Sequence, residues 1–261
     1  MNPALWISKT GLAAQDAKMG AISNNLANVG TYGFKRDRVV FEDLFYQTQR
    51  APGAALDQNN TAPGGIQYGS GVKIMGTQKQ FTPGSTINTD GKLDVAIAGQ
   101  GFLQVETPDG NIAYTRDGSL TQNADGVLTT QSGLPILPAI EIPAGTTDIA
   151  IGKDGTITAK VGGETDPVEL GQLTLANFTN PGGLQAMGGN LYRETAASGE
   201  ALEGVPGEEA YGELLQGSLE GSNVKVVEEM VEMITVQRAY EMNAKMISAA
   251  DDMLKFINQQ M

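Results

Sequence analysis

The longest unbroken apolar periodicity lies at the C-terminal end, where residues 222 to about 259 run without Gly or Pro. Val226, Met233, Tyr240, Ile247 and Leu254 recur every seven residues, and Met230, Gln237, Ala244 and Asp251 hold the second position of a 3-4 spacing, two of them apolar. A sustained heptad predicts a helix packed along another helix with a left-handed supercoil. At 1.5 Å per residue it would run roughly 55 Å and needs a partner of similar length. That partner is expected at the other end of the chain, where Leu5, Leu12, Met19 and Leu26 also recur every seven residues and Ile22 and Val29 lie on an adjoining face. Ala13, Ala14, Ala17, Ala21 and Ala27 keep that surface low, and only Gly11 and Gly20 weaken the helix. The expectation is a coiled coil of two terminal helices. A second C-terminal stripe, Val227, Val231 and Ile234, then Met246, Ala250, Met253 and Ile257, exceeds what one antiparallel partner covers. Leaving five such residues in water forgoes about 8–15 kcal/mol, so the excess points to association. The alternative is a two-helix stalk packed only on its own β domain.

Between the helices the period changes from helical to two. From Gly71 to Leu175 short runs such as VKIMGTQKQF, LDVAIAG and GFLQVETPDG alternate apolar and polar residues. Asp-Gly recurs at 90–91, 109–110, 117–118, 125–126 and 154–155, and Asp-Gly between alternating runs is a strong hairpin signal. Eight to ten short antiparallel strands are expected there. Residues 47–71, QTQRAPGAALDQNNTAPGGIQYGSG, lack either period and read as an extended loop or linker; 177–221 also returns to loop character. The predicted fold is therefore α+β. Its segments are an N-terminal helix (1–34), an extended linker (35–80), a β-rich outer domain (81–180), a return linker (181–221) and a C-terminal helix (222–261).

Composition narrows the chemistry. The chain has neither Cys nor His, which excludes disulfides, thiolate nucleophiles, Cys/His zinc sites and imidazole catalysis. Its net charge of −13 is uneven: residues 1–50 carry six basic and four acidic side chains, residues 51–221 seven and twenty. An acidic middle repels nucleic acid. No apolar run approaches a membrane span, and the N-terminus lacks the basic-then-apolar pattern of a cleaved signal.

No catalytic, cofactor or metal constellation emerges. Gly69-Ser70-Gly71 lacks the pattern of a nucleophile elbow, and neither a dinucleotide fingerprint nor a P-loop is present. The Asp-Gly pairs do not fill a calcium loop, so turns account for them. Glu228 and Glu232 share a helix face and read as solvated. Lys35, Arg36 and Arg38 form a short basic cluster expected to meet an acidic neighbour, such as the middle region of an adjacent subunit.

After the first helix comes SNNLANVGTYGFKRDRVVFEDLFYQ. Asn24, Asn25 and Asn28, then Gly30 and Gly33, fit a helix C-terminus and its exit turn, since Asn and Gly tolerate positive φ. The run Asn25-Leu26-Ala27-Asn28 with Thr31, Gly33 and Phe34 resembles the N-terminal signature of the bacterial flagellar rod and hook axial family. Within that family the opening is most similar to distal rod proteins. Residues 217–224 and VQRAYEMNAKMISAADDML resemble the family's C-terminal element.

The resemblance implies a structural, non-enzymatic subunit without cofactors. Its homo-oligomer would be a helical polymer, a stiff tube that transmits torque and lets export substrates pass. Implied partners are proximal rod and hook proteins, surrounding ring proteins and the flagellar type III export apparatus, with no nucleic acid and no membrane insertion. The implied location is the periplasmic basal body, reached without a cleaved signal peptide. Implied self-assembly residues are Leu5, Leu12, Met19, Ile22, Asn25, Leu26, Asn28, Gly33 and Phe34, with Val226, Met230, Met233, Tyr240, Ile247 and Leu254. The 47–71 segment, through Arg50, Pro52, Pro63, Gly64, Gly69 and Gly71, is implied to stiffen the rod by bridging subunits. Alternatives are a proximal rod protein of the same family and a β-rich binding module with a two-helix stalk.

Overall fold

The computed structural model describes residues 3–53, 63–162, 167–208 and 210–260. The chain divides into two compact units: unit 1 comprises residues 1–26, 37–78 and 225–261, and unit 2 residues 27–36 and 79–224. No helix among the described residues is long and apolar enough to cross a membrane.

Unit 1 contains the two expected helices, α1 (Pro3–Ala27) and α2 (Val226–Gln260). With 35 residues, α2 is about 52 Å long. They lie side by side, antiparallel: Asn25 reaches Glu229, Lys18 pairs with Glu232 at 2.7 Å, and Gly11 faces Asn243. They do not form the expected coiled coil. The covered face of α2 is Glu229, Val236, Asn243 and Ala250, displaced by three residues, about 60° around the helix, from the predicted seam. On α1 it is Gly11, Ala14, Lys18, Ile22 and Asn25. Ile22 and Val236 share this seam with small and polar side chains where a continuous row of hydrophobic knobs was expected. Val226, Met230, Tyr240 and Leu254 stay exposed.

Four strands complete unit 1: β1 (Asp37–Asp43), β2 (Tyr46–Arg50), β3 (Ile66–Gly69) and β4 (Val72–Lys79, whose last residue falls in unit 2). β1 pairs with β4 and β2 with β3. The extended loop expected at 47–71 is therefore, at its described ends, an antiparallel ribbon with Gln47 opposite Tyr68 and Thr48 opposite Gln67. Its polar composition hid the strands, because every residue of β2 and β3 is exposed and no apolar face enforces alternation. Residues 54–62 of that segment lie outside the described residues.

Unit 2 is all β. Its largest sheet has seven strands in the order 185–188, 191–193, 112–115, 102–106, 175–177, 202–204, with 136–137 also pairing 102–106. A three-stranded sheet (146–151, 156–161, 168–172) and two-stranded pairs (95–98 with 213–216, 86–88 with 218–220, 120–122 with 128–130) surround one core. Leu103, Val105, Leu173 and Leu175 are fully buried in that core. Beside it Phe102, Tyr114, Phe178 and Tyr192 pack edge to face with ring centroids 4.8–6.0 Å apart. The Asp-Gly pairs at 109–110, 125–126 and 154–155 sit in hairpins, as their pattern predicts. In the second hairpin the Asn123 carboxamide accepts from the N–H groups of Asp125 and Val127. The stretch expected as a loop at 177–221 contributes five strands of three or four residues, too short to show a period in sequence.

Candidate assembly surface

Asn25 shows how local sequence builds unit 1. Its carboxamide oxygen accepts from Asp37 N–H at 2.8 Å, while its nitrogen donates to Asp37 C=O at 3.0 Å and to Glu229 at 3.3 Å. One side chain thus imitates a strand neighbour for Asp37 and ties α1 to the start of β1 and to α2. The residue is buried and lies inside α1, so the turn-forming role expected for it is replaced by side-chain pairing.

On α2, the side turned away from this covered face exposes apolar residues interleaved with Arg238 and Lys245. Val227, Val231, Ile234, Met242, Met246, Met253 and Phe256 recur at helical spacing, with Val227 74% and Met246 59% exposed. Val227, Val231, Ile234, Met246 and Met253 of the second stripe read in the sequence are exposed, its Ala250 is buried, and the side chain of its Ile257 lies outside what the structure describes. Of the other predicted residues, Leu5, Leu12, Met19, Leu26, Met233 and Ile247 are half-buried at the edges of the helix pair, and Ile22 is buried in it. In the ribbon segment Arg50, Pro52, Pro63, Gly64 and Gly69 are exposed. Gly71 is half-buried with φ +114°, and a Cβ there would overlap Thr10 Oγ1, whose hydroxyl accepts from Val72 N–H. Phe45, between β1 and β2, is 91% exposed.

The remaining signature residues belong to unit 2. Asn28 accepts from the Thr31 hydroxyl at 3.2 Å. Gly33 adopts φ +68°, and a Cβ there would lie 2.7 Å from the Arg116–Asp117 peptide. Its N–H donates to Glu220 C=O at 2.8 Å. Phe34 is buried beneath the Lys79 ammonium, 5.0 Å from the ring centroid.

Lys35 meets an acidic neighbour, as its cluster is expected to, but within its own chain and not on an adjacent subunit. It is fully buried, bonded to Glu220 at 2.6 Å and to Thr82 C=O at 2.9 Å. The other Glu220 carboxylate oxygen takes Arg116 at 3.3 Å, and Arg116 also donates to Gly99 C=O and lies over the Phe102 ring. Burial pushes both the Lys35 and Arg116 pKa values down, and the Glu220 charge works against that shift. Nothing in the local pattern marks Arg116 or Glu220, because one charge in a strand-rich run reads as solvent-facing.

Residues 5–35 match the family model described as flagella basal body rod protein. Residues 96–159 match the flagellar hook protein FlgE/F/G D1 domain, and 215–260 the flagellar basal body rod FlgEFG protein C-terminal. A flagellar basal-body rod protein FlgG of Buchnera aphidicola is 54% identical over 99% of this chain and 100% of its own length. The chain belongs to the flagellar basal-body rod protein FlgG family. It is a structural rod subunit, and the resemblance read from its terminal segments extends over the whole chain. The FlgG protein of Agrobacterium fabrum is 45% identical over 99% of both chains, whereas a FlgF protein of Caulobacter vibrioides is 32% identical over 95% of this chain and 93% of its own. The FlgG family match takes in α1, the Asn25–Phe34 signature, Lys35, Arg116, Glu220 and α2. The ribbon β2–β3 lies outside the three family models but within the full-length FlgG matches.

Proposed function

We propose that the chain polymerises with copies of itself into the distal part of the rod, a stiff helical tube that passes torque outward and lets export substrates through its lumen. The apolar outer face of α2 carries this reading. Val227, Val231, Ile234, Met246 and Met253 leave apolar side chains in water along a helix whose covered face mixes Val236 and Ala250 with Glu229 and Asn243. Burying five such side chains between subunits would return about 8–15 kcal/mol per subunit before ordering costs. Heterologous helix contacts that do not close into a ring generate a filament. The exposed ribbon β2–β3 and Phe45 then lie against neighbouring subunits, with Arg50, Pro52, Pro63, Gly64, Gly69 and Gly71 shaping the stiffening segment.

In this reading the chain has no catalytic, cofactor or metal role. Its partners are further copies, proximal rod and hook proteins at the two ends, surrounding ring proteins and the flagellar export apparatus. It works in the periplasmic space after export without a cleaved signal. The distal assignment is favoured over a proximal one by the higher identity to FlgG relatives than to the FlgF protein.

Sedimentation and electron microscopy of the purified chain and an Ile234→Asp variant test this. The parent is expected to form straight polymers in which amide exchange slows along α1 and α2. The variant should keep unit 2 folded and stay soluble. Polymers from Ile234→Asp indistinguishable from the parent's would overturn the assignment of this face.

A further inference from the structure

Three separated stretches of chain, residues 33–36, 79–85 and 220–224, are tied into one knot inside unit 2, buried at its centre. Gly33 N–H donates to Glu220 C=O at 2.8 Å, and Gly84 N–H donates to the Glu220 carboxylate at 2.9 Å. Gln80 N–H donates to Arg36 C=O, and Gly221 N–H to Ser85 C=O. Asn223 does four jobs: its oxygen accepts from Arg36 N–H, and its nitrogen donates to Gln80 C=O, Thr82 C=O and the Thr82 hydroxyl, at 2.8–3.1 Å. At the centre the Glu220 carboxylate is shared by Lys35 and Arg116. Glu220 is 4% exposed and Lys35 fully covered, so water does not compete for these bonds.

The position of the knot along the chain gives it a consequence. Residues 27–36 bring the chain out of α1, 79 returns it from β4, and 224 sends it on to α2. The knot therefore joins the stretches by which the chain enters and leaves unit 2. A merely structural buried ion pair needs no such placement, and the same three charges placed elsewhere in the core would leave the exits free to peel. Strand 218–220 pairs with 86–88 and strand 213–216 with 95–98 through only three and four residue pairs. Pulled from residue 224 without the knot, they would open one after the other.

We propose that this knot is a force clasp: load arriving through the terminal helices passes directly between residues 33–36 and 220–223 and bypasses the β core enclosed between them. Buried, charge-assisted bonds suit this task because removing one partner strands the opposite charge without water. The proposal concerns the single chain, so it stands or falls separately from the polymerisation reading.

Single-molecule pulling of the full chain through handles at its two termini tests it. After the helices release, the parent should hold and then yield in one large step, freeing the residues between 33 and 220, about 650 Å of chain at roughly 3.5 Å each. Lys35→Met and Asn223→Ala should yield at lower force, with the large step broken into smaller releases beginning at strands 218–220 and 213–216. Glu220→Gln should show the strongest loss; if it does not fold, the other two variants carry the test. Lys92→Ala, which removes an exposed ion pair with Asp148, is the control and should behave as the parent. Unchanged force and step size in Lys35→Met and Asn223→Ala would overturn the clasp, as would an equal loss in the control.

Discussion

The two units differ in how fully they cover their apolar residues. In unit 2 the hydrophobic residues close over one another, and even the buried charges of Lys35, Arg116 and Glu220 find partners within the same unit. In unit 1 the covered seam between the helices holds Glu229, Asn25 and Asn243, while Val227, Val231, Ile234 and Met246 face water. A unit that satisfies its own apolar surface can fold without help. A helix pair that turns its apolar face outward gains its main hydrophobic stabilisation only when something covers it. Under the proposed function, unit 1 is the part that neighbouring subunits would cover.

The contrast is broken most strongly at the charge cluster. Glu220→Ala leaves two buried cations without their carboxylate and is expected to destabilise unit 2 by about 3–5 kcal/mol. The single tryptophan, Trp6, lies on α1, so its fluorescence follows unit 1 while near-ultraviolet tyrosine signals follow mainly unit 2. In denaturant the tyrosine transition should shift far more than the tryptophan one. Leu103→Ala opens a cavity in a fully buried site and should cost about 2–4 kcal/mol in the same transition. Asn25→Ala removes the strand-like pairing to Asp37 and should cost about 1–3 kcal/mol, this time in the tryptophan transition. Ile234→Asp replaces an exposed residue and should change monomer stability by no more than about 0.5 kcal/mol while abolishing sedimentable polymer. A large stability loss there would mean the face is already covered within the monomer.

The smallest effect at neutral pH belongs to Tyr114→Phe. Burial first, then the nearby Glu194 carboxylate, pushes the Tyr114 hydroxyl up to about 12. In the fold the phenol keeps its proton, whereas in the unfolded chain it releases it near 10. The unfolded state therefore binds fewer protons across that interval, and its contribution to stability is lost as pH rises from about 10 towards 12. Tyr114→Phe should match the parent at pH 7 and lose less stability than the parent over the alkaline window, measured by unfolding at stepped pH.

Much of the fold was legible because it depends on local periodicity. The two terminal helices, the change to period two near Gly71 and the hairpins at 109–110, 125–126 and 154–155 follow from spacing and turn chemistry alone. The ribbon at 46–50 and 66–69 was not legible, since strands exposed on both faces carry no alternation. The strands after residue 177 are too short to declare a period. On α2 five residues of the second stripe, Val227, Val231, Ile234, Met246 and Met253, are exposed, and the expected partnership of its heptad with α1 is not found. Val226, Met233, Tyr240, Ile247 and Leu254 do share a spacing, but spacing does not say which face meets α1.

By itself the sequence determined which segments are helical, that the middle is β, and, through the Asn25–Phe34 and C-terminal signatures, the rod family. Those properties are written in short-range patterns that survive in any environment. Only the tertiary structure decided that Asn25 and Glu229 enter the helix seam beside Ile22 and Val236, that Lys35 turns inward to Glu220, and that Asn223 binds Arg36 and Gln80. Each of these depends on which distant residue arrives beside which. A carboxylate 185 positions away in sequence turns a cation that reads as surface into the centre of a buried knot.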